Sequence, residues 1–292
     1  MTDFLQQRLG EYNKEHCWQY QIRVENLEDD LLELKNLVDY KSLKTSDFVF
    51  RHIVDNKEKN NAINFIKRHE WLGTMTQYTT HYFGAYYKEI LSGVITFSVP
   101  NNFSKLLGDN TKNIERLISR GACISWSPKN LASKFLMWCI EYMVHNTPYR
   151  LFTAYSDPTA KELGTIYQAC NFFYLGQKSG TTTRYINPYT GKIVSDRFFR
   201  QKTAYKKYAI ELGIEWQKDW IVDKKIIWDN MTNEISSALK DYSKLKQSQA
   251  EKIDFPSKHK YAYVLGVDKK ETKQLRRDFL NRNKIFEYPK NR

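Results

Sequence analysis

The sequence predicts an α/β (α+β) chain with a mixed central sheet flanked by helices, and three observations predict it. The apolar period switches from 2 to 3.6 and back across residues 120–176, as in a strand–helix–strand–helix unit. Three alternating segments, 47–54, 80–87 and 93–100, stand ahead of that unit. No internal repeat or long low-complexity linker interrupts the chain, which reads as one elaborated domain.

In order, residues 1–46 read as a helical extension. Leu27, Leu31, Leu32, Leu34 and Leu37 keep helical spacing after Asn26, among Glu28, Asp29, Asp30 and Glu33, acids that suit a helix N-terminal half. Segment 47–54 alternates as a strand with His52 facing solvent. Residues 60–71 form a helix on the stripe Ala62, Ile63, Phe65 and Ile66, and Gly73 stops it. Segments 80–87 and 93–100 pair antiparallel, and 101–112 is a polar loop, either a lid beside a cleft or plain surface. A strand opens at Arg120. Pro128-Lys129-Asn130 then starts an amphipathic helix to Asn146, leaving unpaired N–H groups suited to a phosphate. A strand at 149–155, the Asp157-Pro158 turn, a short helix and a strand at 172–177 follow. The last pairs with 181–187 around Lys178-Ser179-Gly180. Residues 195–213 read as a basic helix, 258–266 as a late strand and 269–282 as a charged helix before an extended tail. These elements divide into a helical extension at 1–46, a core at 47–205 and a basic elaboration at 206–292 packed on the core.

The charge is unevenly placed. Residues 1–175 carry 20 Lys+Arg against 19 Asp+Glu, and residues 176–292 carry 26 against 14, so the +13 of the chain lies in its back half. A basic flank on an enzyme-like core points to a polyanion, nucleic acid above all. Cys17, Cys123, Cys139 and Cys170 have neither CxxC nor zinc spacing and read as reduced, packed thiols of a cytoplasmic protein. No signal peptide or membrane-length apolar run is expected.

The order strand–helix–three strands–helix–strand–helix–strand resembles the GNAT acyl-CoA transferases. The run Ala160…Ile166-Tyr167-Gln168-Ala169-Cys170-Asn171-Phe172 is similar to their Ala…Tyr…Gly-Phe pattern, with Asn171 at the usual glycine; Asn also tolerates left-handed geometry. A narrower resemblance is to the phage Mom-type DNA-modification proteins. It lies in Glu70-Trp71-Leu72-Gly73, His81-Tyr82-Phe83-Gly84, Ser119-Arg120, Ser127-Pro128-Lys129-Asn130-Leu131-Ala132-Ser133-Lys134, Tyr155-Ser156-Asp157-Pro158 and Gly164-Thr165-Ile166-Tyr167-Gln168-Ala169. Lys258-His259-Lys260-Tyr261-Ala262-Tyr263 and Tyr288-Pro289-Lys290 are similar to that group's ending. The resemblance spans roughly 47–205 and 256–290.

It implies an enzyme that converts the exocyclic amine of adenine in double-stranded DNA to an acetamido (methylcarbamoyl) form and so shields phage DNA from host restriction. Acetyl-CoA or a related acyl-CoA, and iron, are the cofactors it implies. Asp157, at the end of a strand, orients the amine or accepts its proton, or simply caps the next turn. Tyr167 protonates the CoA thiolate, or is a core aromatic. Arg120, with Arg116 as a competitor, serves CoA phosphates or the acyl carbonyl. Lys129, Asn130, Ser133 and Lys134 form the phosphate cradle, without a glycine-rich loop. His81, Tyr82 and Asp157 are the candidate iron set and the first two also catalytic candidates. The DNA contacts expected are Arg184, Arg197, Arg200, Lys202, Lys206, Lys258 and Lys260, with Phe198 and Phe199 stacking on an extruded base. Two alternatives stay open: a GNAT-type N-acetyltransferase of RNA, protein or a small amine, and a nucleic-acid-binding protein with an inactive core.

Overall fold

The computed structural model describes residues 17–34, 39–179, 183–191, 193–223 and 225–290. Helical content expected at 1–16, together with Leu37 and Gly180, lies outside them. Packing divides the described residues into two compact units, 17–179 with 257–290, and 183–256.

The larger unit begins with α1 (Trp18–Glu25) and α2 (Leu27–Glu33), followed by β1 (Phe48–Ile53), α3 (Asn56–His69), β2 (Thr79–Tyr87), β3 (Ile90–Ser98) and β4 (Glu115–Cys123). Next come α4 (Leu131–Asn146), β5 (Leu151–Ser156), α5 (Thr165–Ala169) and β6 (Phe173–Ser179). α3 starts earlier than its apolar stripe, because Asp55 caps it by accepting the Lys57 and Glu58 N–H groups at 2.8 and 3.0 Å. β4 starts five residues before Arg120, so Arg120 lies inside the strand and does not open it. The charged pair Glu115-Arg116 hid that start. His52 is half-buried beside Tyr142 of α4, with 3.2 Å between its Nδ1 and the phenol, and does not face solvent.

The smaller unit holds β7 (Thr183–Ile186), β8 (Ile193–Val194), α6 (Lys202–Glu211), β9 (Ile221–Val222), β10 (Lys225–Ile226), α7 (Asn233–Gln249) and β11 (Lys252–Asp254). Its core packs Tyr205, Tyr208, Trp220, Met231 and Leu239. β7 pairs with β8 and β11, so it does not form the expected hairpin with β6. The chain then returns to the larger unit as β12 (Lys258–Val264) and α8 (Lys269–Arg282).

The sheet of the larger unit runs β1-β2-β3-β4-β5-β12-β6, and only β4–β5 is parallel. β12 enters between β5 and β6 because it is apolar on both sides. Tyr261 and Tyr263 join Phe135, Phe152 and Phe172 in the core with α4, while Ala262 and Val264 join Phe279 of α8 in another cluster. Strand β6 would expose an edge, but the tail covers it: Phe286 N–H donates to Tyr174 O at 3.0 Å and Tyr288 Oη to Phe172 O at 2.7 Å. Loop 101–112 is tied down, since buried Glu115 accepts from Ser104 N–H, Ser104 Oγ and Thr111 Oγ1 at 2.8–2.9 Å. Asn171 takes φ 56°, as the substitution for glycine requires. No helix among the described residues is long and apolar enough to cross a membrane.

Candidate active site

β4 and β5 pair for only three residues, Glu115 with Leu151, Arg116 with Phe152 and Leu117 with Thr153. Beyond them the strands part. On its other side β4 stays on β3 but shifts register between Ile118 and Arg120, which leaves Ser119 as an extra residue. Such a bulge bends a strand and re-aims its side chains. The wedge so formed holds a cavity of about 430 Å³, lined by residues 119–123, 155–157 and 161–167 and by Glu70, Trp71, Lys258 and α1. That lies within the range of about 300–1,000 Å³ usual for small-molecule sites. No residue of loop 101–112 lines it.

Arg120, Asp157 and Tyr167 all line this cavity, as the sequence reading requires. Asp157 is held twice. Oδ1 accepts the Thr159 N–H at 3.0 Å, the expected cap, and Oδ2 pairs with Lys258 Nζ at 3.1 Å. Lys258, read as a DNA-phosphate contact, is therefore a cavity residue. Arg120 Nε donates to Thr74 O at 2.5 Å and lies 3.9 Å from Glu70 Oε2. Burial pushes the Tyr167 phenol up, and Glu162 and Glu70 add to the effect, so it stays a neutral donor. Gly164, at φ 67°, starts the helix that carries Tyr167. A Cβ there would stand 2.5 Å from the Tyr261 ring.

Two carboxylates of the cavity were not singled out from the sequence. Glu70 follows α3 and is 8 % exposed. Its Oε2 accepts the Leu72 and Gly73 N–H groups at 3.1 Å. Burial lifts its carboxyl to about 7, against the pull of Arg120 and those N–H groups. Glu162 is lifted to about 8, first by burial and then by Glu70. Lys161 and Gly164 both have positive φ, and this folds the loop so that Glu162 Oε2 stands 3.4 Å from the Asp157 N–H. The only sequence signal was the quoted Glu70-Trp71-Leu72-Gly73, and for Glu162 its place beside Gly164. The N-terminal extension also contributes to the wall: Cys17, Gln19, Tyr20 and Arg23 line the cavity. Arg23 Nη2 clamps the turn before α4, donating to Ser125 O at 2.8 Å and Ser127 Oγ at 3.2 Å.

Of the phosphate candidates, Lys129 and Asn130 sit at a second opening, which Ser133 and Lys134 do not line. Lys129 and Asn130 line a cavity of about 570 Å³ with Lys41 and Lys44. α4 starts there from Asn130, which is left-handed at φ 69° and makes no side-chain cap. The first-turn amides and three ammonium groups fit the charge of a pyrophosphate. Ser133 Oγ donates to Asn130 O at 3.1 Å, and Lys134 Nζ lies 3.4 Å from Thr45 Oγ1.

The expected iron set is not brought together. His81 stacks near His52 and Tyr149, its ring 5.7 and 5.9 Å from theirs, and burial holds its imidazole at about 4. Tyr82, the next strand residue, packs into the cluster with α3. Neither lines the cavity with Asp157. No group of three or more His, Cys, Asp and Glu among the described residues could hold a metal.

Arg184, Arg197, Arg200, Lys202 and Lys206 belong to the smaller unit. Arg200 is ion-paired with Asp196, and the Lys206 ammonium lies 5.9 Å above the Trp216 ring. Phe199 is fully buried and cannot stack on a base, whereas Phe198 keeps partial exposure. Lys260 lies over the Tyr155 ring at 5.9 Å. Cys123 and Cys139 are buried, which raises their thiols, Cys123 to about 11, so neither supplies a thiolate.

Solved structures similar to this chain include an acetyltransferase from Bacillus subtilis in complex with CoA. It is 8% identical, with 75% of this chain and 99% of that chain covered and a TM-score of 0.35. A GNAT family acetyltransferase from Elizabethkingia anophelis with acetyl-CoA bound is 10% identical over 75% and 99%, with a TM-score of 0.36. An N-acetyltransferase from Staphylococcus aureus is 19% identical over 47% and 88%, at 0.33. No curated protein matches the chain. The Mom protein family matches residues 51–290, and the chain belongs to it.

Proposed function

We propose that this member of the Mom protein family uses an acyl-CoA thioester to modify the exocyclic amine of adenine in double-stranded DNA, protecting phage DNA from host restriction. One observation carries the reading: the opening between β4 and β5 gathers Asp157, Tyr167 and Arg120 around one cavity, together with the carboxylates Glu70 and Glu162 and the ammonium of Lys258. A thioester laid along α4 brings its phosphates to Lys129, Asn130 and the amides at the start of that helix. Its acyl end then reaches Arg120 and Tyr167. Asp157, fixed by Lys258 and its own turn, is an acceptor for an amine N–H. Tyr167 is the donor for the departing thiolate. Tyr20, Trp71 and Tyr155 give the cavity flat apolar walls suited to a purine.

Adenine N6 is enclosed in the duplex, so the base must be extruded at a cost of a few kcal/mol, which phosphate contacts offset. The acetamido product that the family resemblance implies joins N6 to the methyl carbon of the acetyl unit. Plain acyl transfer joins it to the carbonyl carbon. Acyl transfer by itself gives only the second linkage, since the first breaks a C–H bond and needs an oxidant that acetyl-CoA does not supply; the mass of the product distinguishes the two.

The test is transfer of labelled acetyl-CoA by the purified full-length protein to duplex DNA, RNA, protein and small amines. Label entering deoxyadenosine, and falling about 100-fold in Asp157→Asn and Tyr167→Phe, is expected. Label entering only protein, RNA or a small amine would replace the DNA reading with a general N-acetyltransferase.

A further inference from the structure

We propose that Glu162 is the base of this reaction, accepting the proton that the exocyclic amine gives up as its bond to the acyl unit forms. The assignment rests on the adenine-amine reading above, and it follows from which carboxylate oxygens in the cavity are already committed.

Three carboxylates line the cavity. Asp157 uses one oxygen for its own turn and the other for Lys258. Both of its oxygens are thus engaged, one by an amide and one by an ammonium, which suits a carboxylate that orients the substrate. Glu70 uses Oε2 for two backbone N–H groups and faces Arg120. Glu162 receives only the long 3.4 Å contact from the Asp157 N–H, at Oε2. Neither its Oε1 nor that of Glu70 accepts a hydrogen bond among the described residues, but Glu70 alone faces a guanidinium, that of Arg120. The loop that presents it turns through two left-handed residues, Gly164 at φ 67°, which glycine adopts freely, and Lys161 at φ 53°, which costs a side-chain-bearing residue strain. Leu163, next to it, is pinned through its carbonyl by Gln168 Nε2 at 2.8 Å and by the Tyr261 hydroxyl.

The proton affinities agree with this geometry. A group near 8 holds a proton against water and releases it to a thiolate, whose ordinary value is about 8.5. In acyl transfer the amine lone pair attacks the thioester carbon, the N–C bond forms and the C–S bond breaks. The amine proton goes to Glu162. Tyr167, whose phenol is coupled electrostatically to Glu162, hydrogen-bonds the leaving sulfur, and a proton relayed through it yields the free CoA thiol. Both residues return to their starting states. Glu70 acts as a positioning residue: its charge raises the affinity of Glu162.

The experiment follows CoA-thiol release from acetyl-CoA and deoxyadenosine modification in the same reactions, from pH 5.5 to 9.5. The full-length protein and its Glu162→Gln, Glu162→Asp, Asp157→Asn and Glu70→Gln variants are compared, each checked for folding by circular dichroism. Glu162→Gln should lose about 100-fold or more, and its remaining rate should no longer rise with pH. Glu162→Asp should recover part of the rate. Asp157→Asn should be slower with the rising limb intact, and Glu70→Gln should move that limb to lower pH. A Glu162→Gln rate within about threefold of wild type, still rising with pH, would overturn the base while leaving the DNA reading in place. A wild-type protein that releases no thiol and leaves deoxyadenosine unchanged removes both.

Discussion

Glu70 illustrates how a side chain without an obvious motif role acquires one from burial. Its carboxyl is raised from 4.5 to about 7 because it leaves water when α3 ends against the cavity. The unfolded chain therefore loses its proton first. Stability from this group is complete below about 4.5 and is lost as pH rises through 7, by about 3 kcal/mol at 1.36 kcal/mol per unit. Glu70→Gln removes the ionisation, while the histidines, common to both proteins, cancel in the comparison. The melting temperature of Glu70→Gln minus that of wild type should become more positive from pH 5 to pH 8; a constant difference by scanning calorimetry would contradict the raised carboxyl. At this scale the sequence could suggest that Asp157, Tyr167 and Arg120 share one cavity, because an Asp-Pro turn, a short helix with Tyr and Phe, and a strand arginine are local patterns. Glu70 and Glu162 could not, since whether a carboxylate is dry depends on residues far away in the chain. The iron set failed for a local reason: His81 and Tyr82 are adjacent on a strand, and adjacent side chains point to opposite faces.

Among the elements, α1 and α2 changed meaning most. Leucine spacing disclosed a helix and nothing of what it touches. Asp30 of α2, fully buried, pairs with Arg68 of α3 at 2.7 Å and accepts the Ser125 N–H at 3.1 Å. The Trp126 indole donates to its carbonyl at 3.2 Å. The extension thus fastens the turn between β4 and α4 from outside, and Arg23 of α1 does so from the cavity side. Asp30→Ala would orphan the Ser125 amide and remove the carboxylate that Arg68 pairs with. Because Arg68 keeps water contact, the expected loss is about 2 kcal/mol, short of the full cost of breaking a buried pair. Urea unfolding checks this, and a loss under about 0.5 kcal/mol would mean the extension is merely apposed. The strands were legible wherever one segment had one period. The insertion of β12 between β5 and β6 was not, because pairing partners about 80 to 110 residues apart leave no local trace.

For the whole molecule, the charge has an address. The 36 residues 257–292 carry 11 Lys+Arg against 4 Asp+Glu, whereas residues 181–256 carry 14 against 10. The basic excess is therefore densest in the stretch that returns to the larger unit as β12, α8 and the tail, and one of its lysines, Lys258, is drawn into the cavity to hold Asp157. The count of charges was plain in the sequence; that one lysine of this stretch pairs with Asp157 needed the fold. The most direct test of the account is nucleoside mass spectrometry of plasmid DNA from cells expressing the full chain. The account predicts a deoxyadenosine carrying an added two-carbon unit, strongly reduced with Asp157→Asn and Tyr167→Phe. Deoxyadenosine of unaltered mass, with the protein folded and abundant, would contradict it.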